Sequence, residues 1–265
     1  MYAFTYERPK SVEEAVNLLK KSDEAKLLAG GQTLLPAMKL RLASPGTIVD
    51  LSKVAGLSGV KRDGNDIVIG AMTKHVDVMN SAEVQKSIPA LAHLVSVLGD
   101  PAVRNRGTIG GSLANNDPSA DYPAAVLALN ATVQTNKRKI AADDFFKGLF
   151  ETALAGDEII EAVRFPVPEK AGYEKFRNPA SRFALVGVFV AKGKDGARVS
   201  VTGAGESGVF RAKEMEAALG KDFSAKAIEG IKVPVKGMIA DLHGTAEYRA
   251  HLIGVLARRA LAAAK

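Results

Sequence analysis

Two polar, glycine-rich stretches hold most of the residues in this chain that could do chemistry. The first is Ala29-Gly30-Gly31-Gln32-Thr33-Leu34, continuing as LPAMKLRL to Leu42. The second runs from Arg104 to Asp121 and reads RNRGTIGGSLANNDPSAD. Glycine lets a backbone take positive φ and come close to a bound group. Consecutive backbone N–H groups can then ring a phosphate without help from a lysine. Ala29 to Thr33 have that character, and Thr108, Gly110, Gly111 and Ser112 could supply it from the opposite side. Asn115 and Asn116 add short amides, and Asp121 is an acceptor suited to a ribose hydroxyl. The composition of the second stretch makes a poor strand and a poor helix interior, so it reads as a loop. The chemistry on offer is the binding of a phosphorylated cofactor, which would bring its own reactivity.

Other chemistries lack their residues. The chain has no cysteine, so it has no disulfide, no thiolate metal ligand and no cysteine nucleophile. His75, His93, His243 and His251 are scattered without metal-type spacing and read as surface or internally satisfied histidines. No Ser-His-Asp set, Walker A motif or carboxylate pair is evident. Gly203-Ala204-Gly205-Glu206-Ser207-Gly208 is a literal G-x-G-x-x-G with an acid, Asp222, about 20 residues from its start. Too little chain follows it for a second βαβ half, and its preceding strand reads as part of a hairpin. It is therefore read as a turn. The net charge of +7 is dispersed. No run reaches the five or more like charges of a nucleic-acid arm, and the basic balance suits an anionic ligand or an acidic partner. No apolar run is long enough to span a membrane, and the N-terminus has no signal-peptide core, so a cytoplasmic protein is expected.

The elements that must position these stretches fall into three units. Residues 1–55 read as strand, helix, strand, glycine loop and strand, a small βαβ-like arrangement with a capping box at Ser11 and Glu14. Residues 56–166 read as a larger α+β unit. It opens on a hairpin across Asp63-Gly64-Asn65 and continues with one helix over HVDVMNSAEVQKS and another from Pro89. An apolar helix over 121–129 and strands near 131–135 and 158–166 follow. Residues 167–265 show two long strands, 184–192 and 197–202, joined over Lys194-Asp195-Gly196, then helices at 211–219, 224–230 and 245–264.

AGGQTLLPAMKLRL together with VRNRGTIGGSLANNDPSADYPA resembles the FAD-binding medium subunit of the aerobic carbon monoxide dehydrogenase / xanthine dehydrogenase family of molybdenum hydroxylases. The resemblance extends over the whole chain, from FTYERPKSVEEAVNLL to TGAGESGVFRAKEMEAAL. It implies an α+β fold: a PCMH/VAO-type FAD-binding domain of two α/β subdomains, then a C-terminal domain with a three-stranded antiparallel sheet and a helical bundle. It implies that Ala29, Gly30, Gly31, Gln32, Thr33 and Leu34 hold the pyrophosphate and flavin end of FAD. Thr108, Gly110, Gly111, Ser112 and Asn115 would line the second loop, with Asp121 at the adenosine portion and Leu98 against the adenine. Ile160 and Arg177 would approach the flavin ring. Two positions depart from the family pattern: Ser112, where many relatives have Asn, and Phe183, where some carry a tyrosine near the flavin. Phe183 reads equally well as a core aromatic.

The resemblance further implies electron relay. Electrons would leave a molybdenum cofactor in a large partner subunit, cross two [2Fe–2S] clusters in a small partner subunit, reach FAD here and pass to an acceptor. A dimer of such heterotrimers is the implied assembly. Two other readings stay open: an assembly subunit that has lost FAD, and a Rossmann-type dehydrogenase using Gly203–Gly208.

Overall fold

The computed structural model describes every residue from Met1 to Lys265. Its first unit is β1 (Thr5–Glu7), α1 (Val12–Lys20), β2 (Ala25–Leu28), α2 (Leu34–Lys39) and β3 (Thr47–Asp50). The strands form a parallel sheet in the order β1-β3-β2. α1 starts where expected: Glu14 N donates to Ser11 Oγ at 3.1 Å, and the Glu14 carboxylate accepts from Lys10 N at 2.7 Å.

The central unit contains β4 (Val60–Asp63), β5 (Asp66–Gly70), α3 (His75–Asn80), α4 (Ala82–Ser87), α5 (Pro89–Ser96), α6 (Pro101–Arg104), α7 (Ile109–Asn115), α8 (Tyr122–Ala128), β6 (Thr132–Thr135), β7 (Lys139–Ala141), α9 (Ala142–Phe145), β8 (Phe146–Gly148), β9 (Glu151–Thr152) and β10 (Ile160–Pro166). Five of its strands form an antiparallel sheet, β4-β5-β10-β6-β7. The single helix expected over 75–87 is two. Ser81 ends α3 and caps α4, its Oγ accepting from Val84 N, because a serine that can bond its own backbone competes with helix continuation. The second glycine stretch is likewise not a loop throughout. It holds the end of α6 and all of α7, with Gly110 and Gly111 in the first turn of α7.

The last unit is β11 (Lys170–Arg177), β12 (Ala184–Gly193), β13 (Gly196–Thr202), β14 (Phe210–Arg211), α10 (Lys213–Leu219) and α11 (Ala246–Ala263). Its antiparallel sheet has three long strands and a fourth, β14, of two residues. The helical part is two α-helices and a 3-10 turn at Lys226–Ile228. β12 is buried on both faces. Phe189 and Ala191 join the central core, while Val186, Val188 and Val190 join a second core beneath α11. Period-two alternation thus sends one strand into two cores. The turn reading of Gly203–Gly208 holds: the preceding strand, β13, has antiparallel neighbours on both sides, so no parallel βαβ crevice exists there.

Candidate functional site

A cleft of about 950 Å³ opens where the three units meet. Ala29, Gly30, Gly31, Gln32, Thr33, Leu34, Leu98, Thr108, Gly110, Gly111, Ser112, Asn115, Asp121 and Ile160 all line it. Arg177 does not. A register shift between Phe176 and Arg177 ends the regular β11–β12 ladder there, and Arg177 lies exposed outside the cleft lining. Phe183 is half exposed and lines the rim, so its reading as a core aromatic is set aside.

The two glycine stretches meet backbone to backbone. A Cβ on Gly30 would lie 2.3 Å from the Arg106 carbonyl oxygen and 2.6 Å from Gly107 Cα. A Cβ on Gly110 would lie 2.6 Å from Ala71 Cβ and 2.8 Å from the Ala71 oxygen. Only glycine allows these approaches. In the first stretch, no backbone N–H from Ala29 to Leu34 donates a hydrogen bond within the chain. Such a row, leading into the N-terminus of α2, is a row of donors facing a cleft.

The second stretch offers less than its sequence suggests. Ile109 N donates to Thr73 O, Gly110 N to Ala71 O, Gly111 N to Thr108 Oγ1 and Ser112 N to Thr108 O. Its amides are engaged in tying α7 to the segment that follows β5 and in capping it. What it contributes to the cleft is a close-fitting wall and the side chains of Ser112 and Asn115, which make no hydrogen bond within the chain.

Asp121 is already partnered. Lys175 Nζ lies 2.9 Å from Oδ1 and 3.0 Å from Oδ2, and the Tyr173 hydroxyl donates to Oδ1. Lys175 Nζ also donates to the Val97 carbonyl at 3.2 Å. Burial pushes the Asp121 carboxyl up, against the opposing pull of Lys175 and the Tyr173 hydroxyl. A ribose hydroxyl reaching this carboxylate would share it with two residues of β11.

Sequence reasoning missed Glu158 and misplaced His75, both buried in the cleft wall. Glu158 accepts from Arg138 Nε at 2.9 Å, Thr135 Oγ1 at 2.7 Å and Ala155 N at 3.0 Å. The Arg138 guanidinium, with these donors, holds its carboxyl down to about 2 against a usual 4.5. A carboxyl depressed on folding adds stability above its unfolded pKa and loses it as pH falls from 4.5 toward 2. Glu158→Gln is expected to cost about 1.5–3 kcal/mol at pH 7 and to flatten that acid limb, as read by urea unfolding at pH 7 and pH 3. His75, expected to be satisfied or on the surface, has Nδ1 buried without a partner. Its burial depends on contacts with Gly107 and Tyr122, which no local pattern reveals.

Residues 2–168 match the family described as FAD binding domain in molybdopterin dehydrogenase. The chain is 36% identical to the carbon monoxide dehydrogenase medium chain of Hydrogenophaga pseudoflava, over 98% of this chain and 96% of the relative. It is also 36% identical to the nicotine 6-hydroxylase medium subunit of Paenarthrobacter nicotinovorans, with the same coverage. Among solved structures, carbon monoxide dehydrogenase from Hydrogenophaga pseudoflava superposes with a TM-score of 0.88 at 38% identity, covering 99% of this chain and 97% of that one. Quinoline 2-oxidoreductase from Pseudomonas putida 86 gives a TM-score of 0.88 at 29% identity, covering 99% and 96%. A cleft walled by paired glycine stretches, a match across the FAD-binding domain and likeness along the full length lead to one assignment: the chain belongs to the FAD-binding medium subunits of the carbon monoxide dehydrogenase / xanthine dehydrogenase family and is an oxidoreductase component.

Proposed function

We propose that this chain is the electron-transferring FAD subunit of a molybdenum hydroxylase complex. The observation that carries the reading is the unpartnered amide row from Ala29 to Leu34, set against the close glycine wall of α7. Such a row suits the pyrophosphate of a dinucleotide, which accepts from N–H groups and is favoured by the N-terminal end of α2. Leu98, Thr108, Gly110, Gly111, Ser112 and Asn115 would hold the nucleotide along the second wall, with Asp121 near the ribose. Ile160 and the rim residue Phe183 would flank the flavin ring. Arg177 would join them only by a change at the end of β11.

Bound FAD would supply a carrier that takes up and releases electrons one or two at a time. The amide row from Ala29 to Leu34 and the wall of α7 would hold and orient it and would keep water from its phosphates. A chain without cysteine has no thiolates for an iron–sulfur cluster. The reading therefore places the [2Fe–2S] clusters in a small partner subunit and the molybdenum cofactor in a large one, within a cytoplasmic dimer of heterotrimers. It also divides the chain at 55 and 166. The family match ending at residue 168 and the separate core of residues 15–57 with Ile159 support that division.

The test is the visible spectrum of the purified chain, before and after FAD addition and desalting. Flavin bands that survive desalting are expected. A chain that stays colourless even when produced with its neighbouring subunits would leave the assembly-subunit reading in its place.

A further inference from the structure

His75 opens α3 at the cleft wall and is 4% exposed. Its backbone N–H donates to Gly107 O at 2.9 Å. The edge of its ring packs on the same glycine: a Cβ there would lie 2.5 Å from Nε2 and 2.8 Å from Cδ2. Gly107 in turn abuts Gly30, beside the unpartnered amides. Neither ring nitrogen has a hydrogen-bond partner in the chain; Nδ1 is sealed from solvent. The Tyr122 hydroxyl is also buried and unpartnered, and its ring centroid is 5.4 Å from that of His75. Buried polar groups left without a partner are destabilising, so a pair of this kind calls for something that satisfies it.

The chemistry of the two groups sorts the roles. Burial, reinforced by the Arg104 guanidinium, lowers the imidazole to about 4, so it is neutral at physiological pH. Burial pushes the Tyr122 hydroxyl up, so it keeps its proton. A neutral imidazole has one donor and one acceptor nitrogen, and the partner of one fixes the other. A phosphate oxygen only accepts. A water held by the tyrosine hydroxyl and donating to Nδ1 leaves Nε2 as the donor.

We infer that Tyr122, through one bridging water, holds His75 as its Nε2–H tautomer, so that the imidazole donates to a phosphate oxygen of the dinucleotide beside Gly107. This rests on the FAD reading above. His75 is then a binding residue and Tyr122 a positioning residue.

The full-length chain is titrated with FAD by fluorescence, and its His75 side chain is observed by ¹⁵N NMR without and with FAD. Glutamine places an amide N–H where Nε2 sits, and asparagine places one only where Nδ1 sits. His75→Gln should bind FAD within about 3-fold of the parent and His75→Asn at least about 10-fold more weakly, the effect of one lost hydrogen bond. Tyr122→Phe should weaken binding by about 3-fold and abolish the single Nε2–H signature seen without FAD. That signature should move when FAD is added to the parent. Equal affinities across the set, or an Nδ1–H signature in the parent, overturn the inference and leave the FAD reading intact. A parent chain that fails to bind FAD overturns both. The NMR readout on the parent decides the matter even if a variant misfolds.

Discussion

Gly30→Val is expected to leave the protein without FAD. The added side chain would begin 2.3 Å from the Arg106 oxygen and 2.6 Å from Gly107 Cα, and both are backbone. Neither can swing aside as a flexible side chain would. The first stretch must move away from the second, and the amide row from Ala29 to Leu34 moves with it. A phosphate held by several convergent N–H groups loses most of them together. Affinity should fall at least about 100-fold, on the order of 3 kcal/mol. Gly110→Val should behave alike, since it meets Ala71 at 2.6 Å in the same wall. Gly205→Val, in the literal G-x-G-x-x-G, clashes only with its own turn and Phe210, far along the chain from the two glycine stretches. It should leave flavin content unchanged. Flavin per chain after desalting, with unfolding midpoints measured without FAD, separates lost binding from lost folding. Wild-type flavin content in Gly30→Val would refute the placement of the pyrophosphate.

Lys175→Met is expected to cost more stability than any surface change in the molecule. The Lys175 side chain is 2% exposed and its Asp121 partner 4%. Removing one member of a buried pair leaves the other charge uncompensated, at about 3–5 kcal/mol. The Tyr173 hydroxyl, with the Arg177 charge farther off, would then face the carboxylate. The sign of the pH dependence follows. Asp121 is already raised by burial, and loss of the lysine raises it further. A carboxyl raised on folding takes up a proton as the chain folds, so stability increases as pH falls. The deficit against the parent should be largest near pH 8 and smaller near pH 5, where the carboxyl can become neutral. Urea unfolding at both values tests this; a deficit independent of pH would mean that packing, not charge, is what the lysine supplies.

The place of the first glycine stretch on the cleft wall was legible because the role proposed for it needs only local chemistry, a run of small residues before a helix start. The second was legible as a ligand wall but not as a helix. Glycine costs about 1 kcal/mol in a helix interior, and what outweighs that is the contact of Gly110 with Ala71, which no window around residue 110 contains. β11 was missed for the same reason. KAGYEKFR carries charges and a glycine, and its strand character comes from pairing with β12 and from α11, whose Ala260 carbonyl lies 2.0 Å from where a Cβ on Gly172 would be. Both hairpin turns, at Gly64-Asn65 and at Lys194-Asp195, were readable because a two-residue turn writes its requirements into its own residues. Lys175, Glu158 and His75 were not, because each takes its role from partners distant in sequence.

The segment between β11 and β12 has a consequence for divergence among relatives. Asn178 pins it: its Oδ1 accepts from Ala180 N at 2.9 Å, and its backbone oxygen accepts from Arg182 N at 2.8 Å. Ala180, Ser181, Arg182 and Phe183 line the cleft rim from this segment, while β12 behind it is anchored in two cores. Mutational load at the rim is therefore insulated from the framework. Selection can rewrite the surface shown at the cleft mouth, one exposed side chain at a time, in a lineage whose fold stays unchanged.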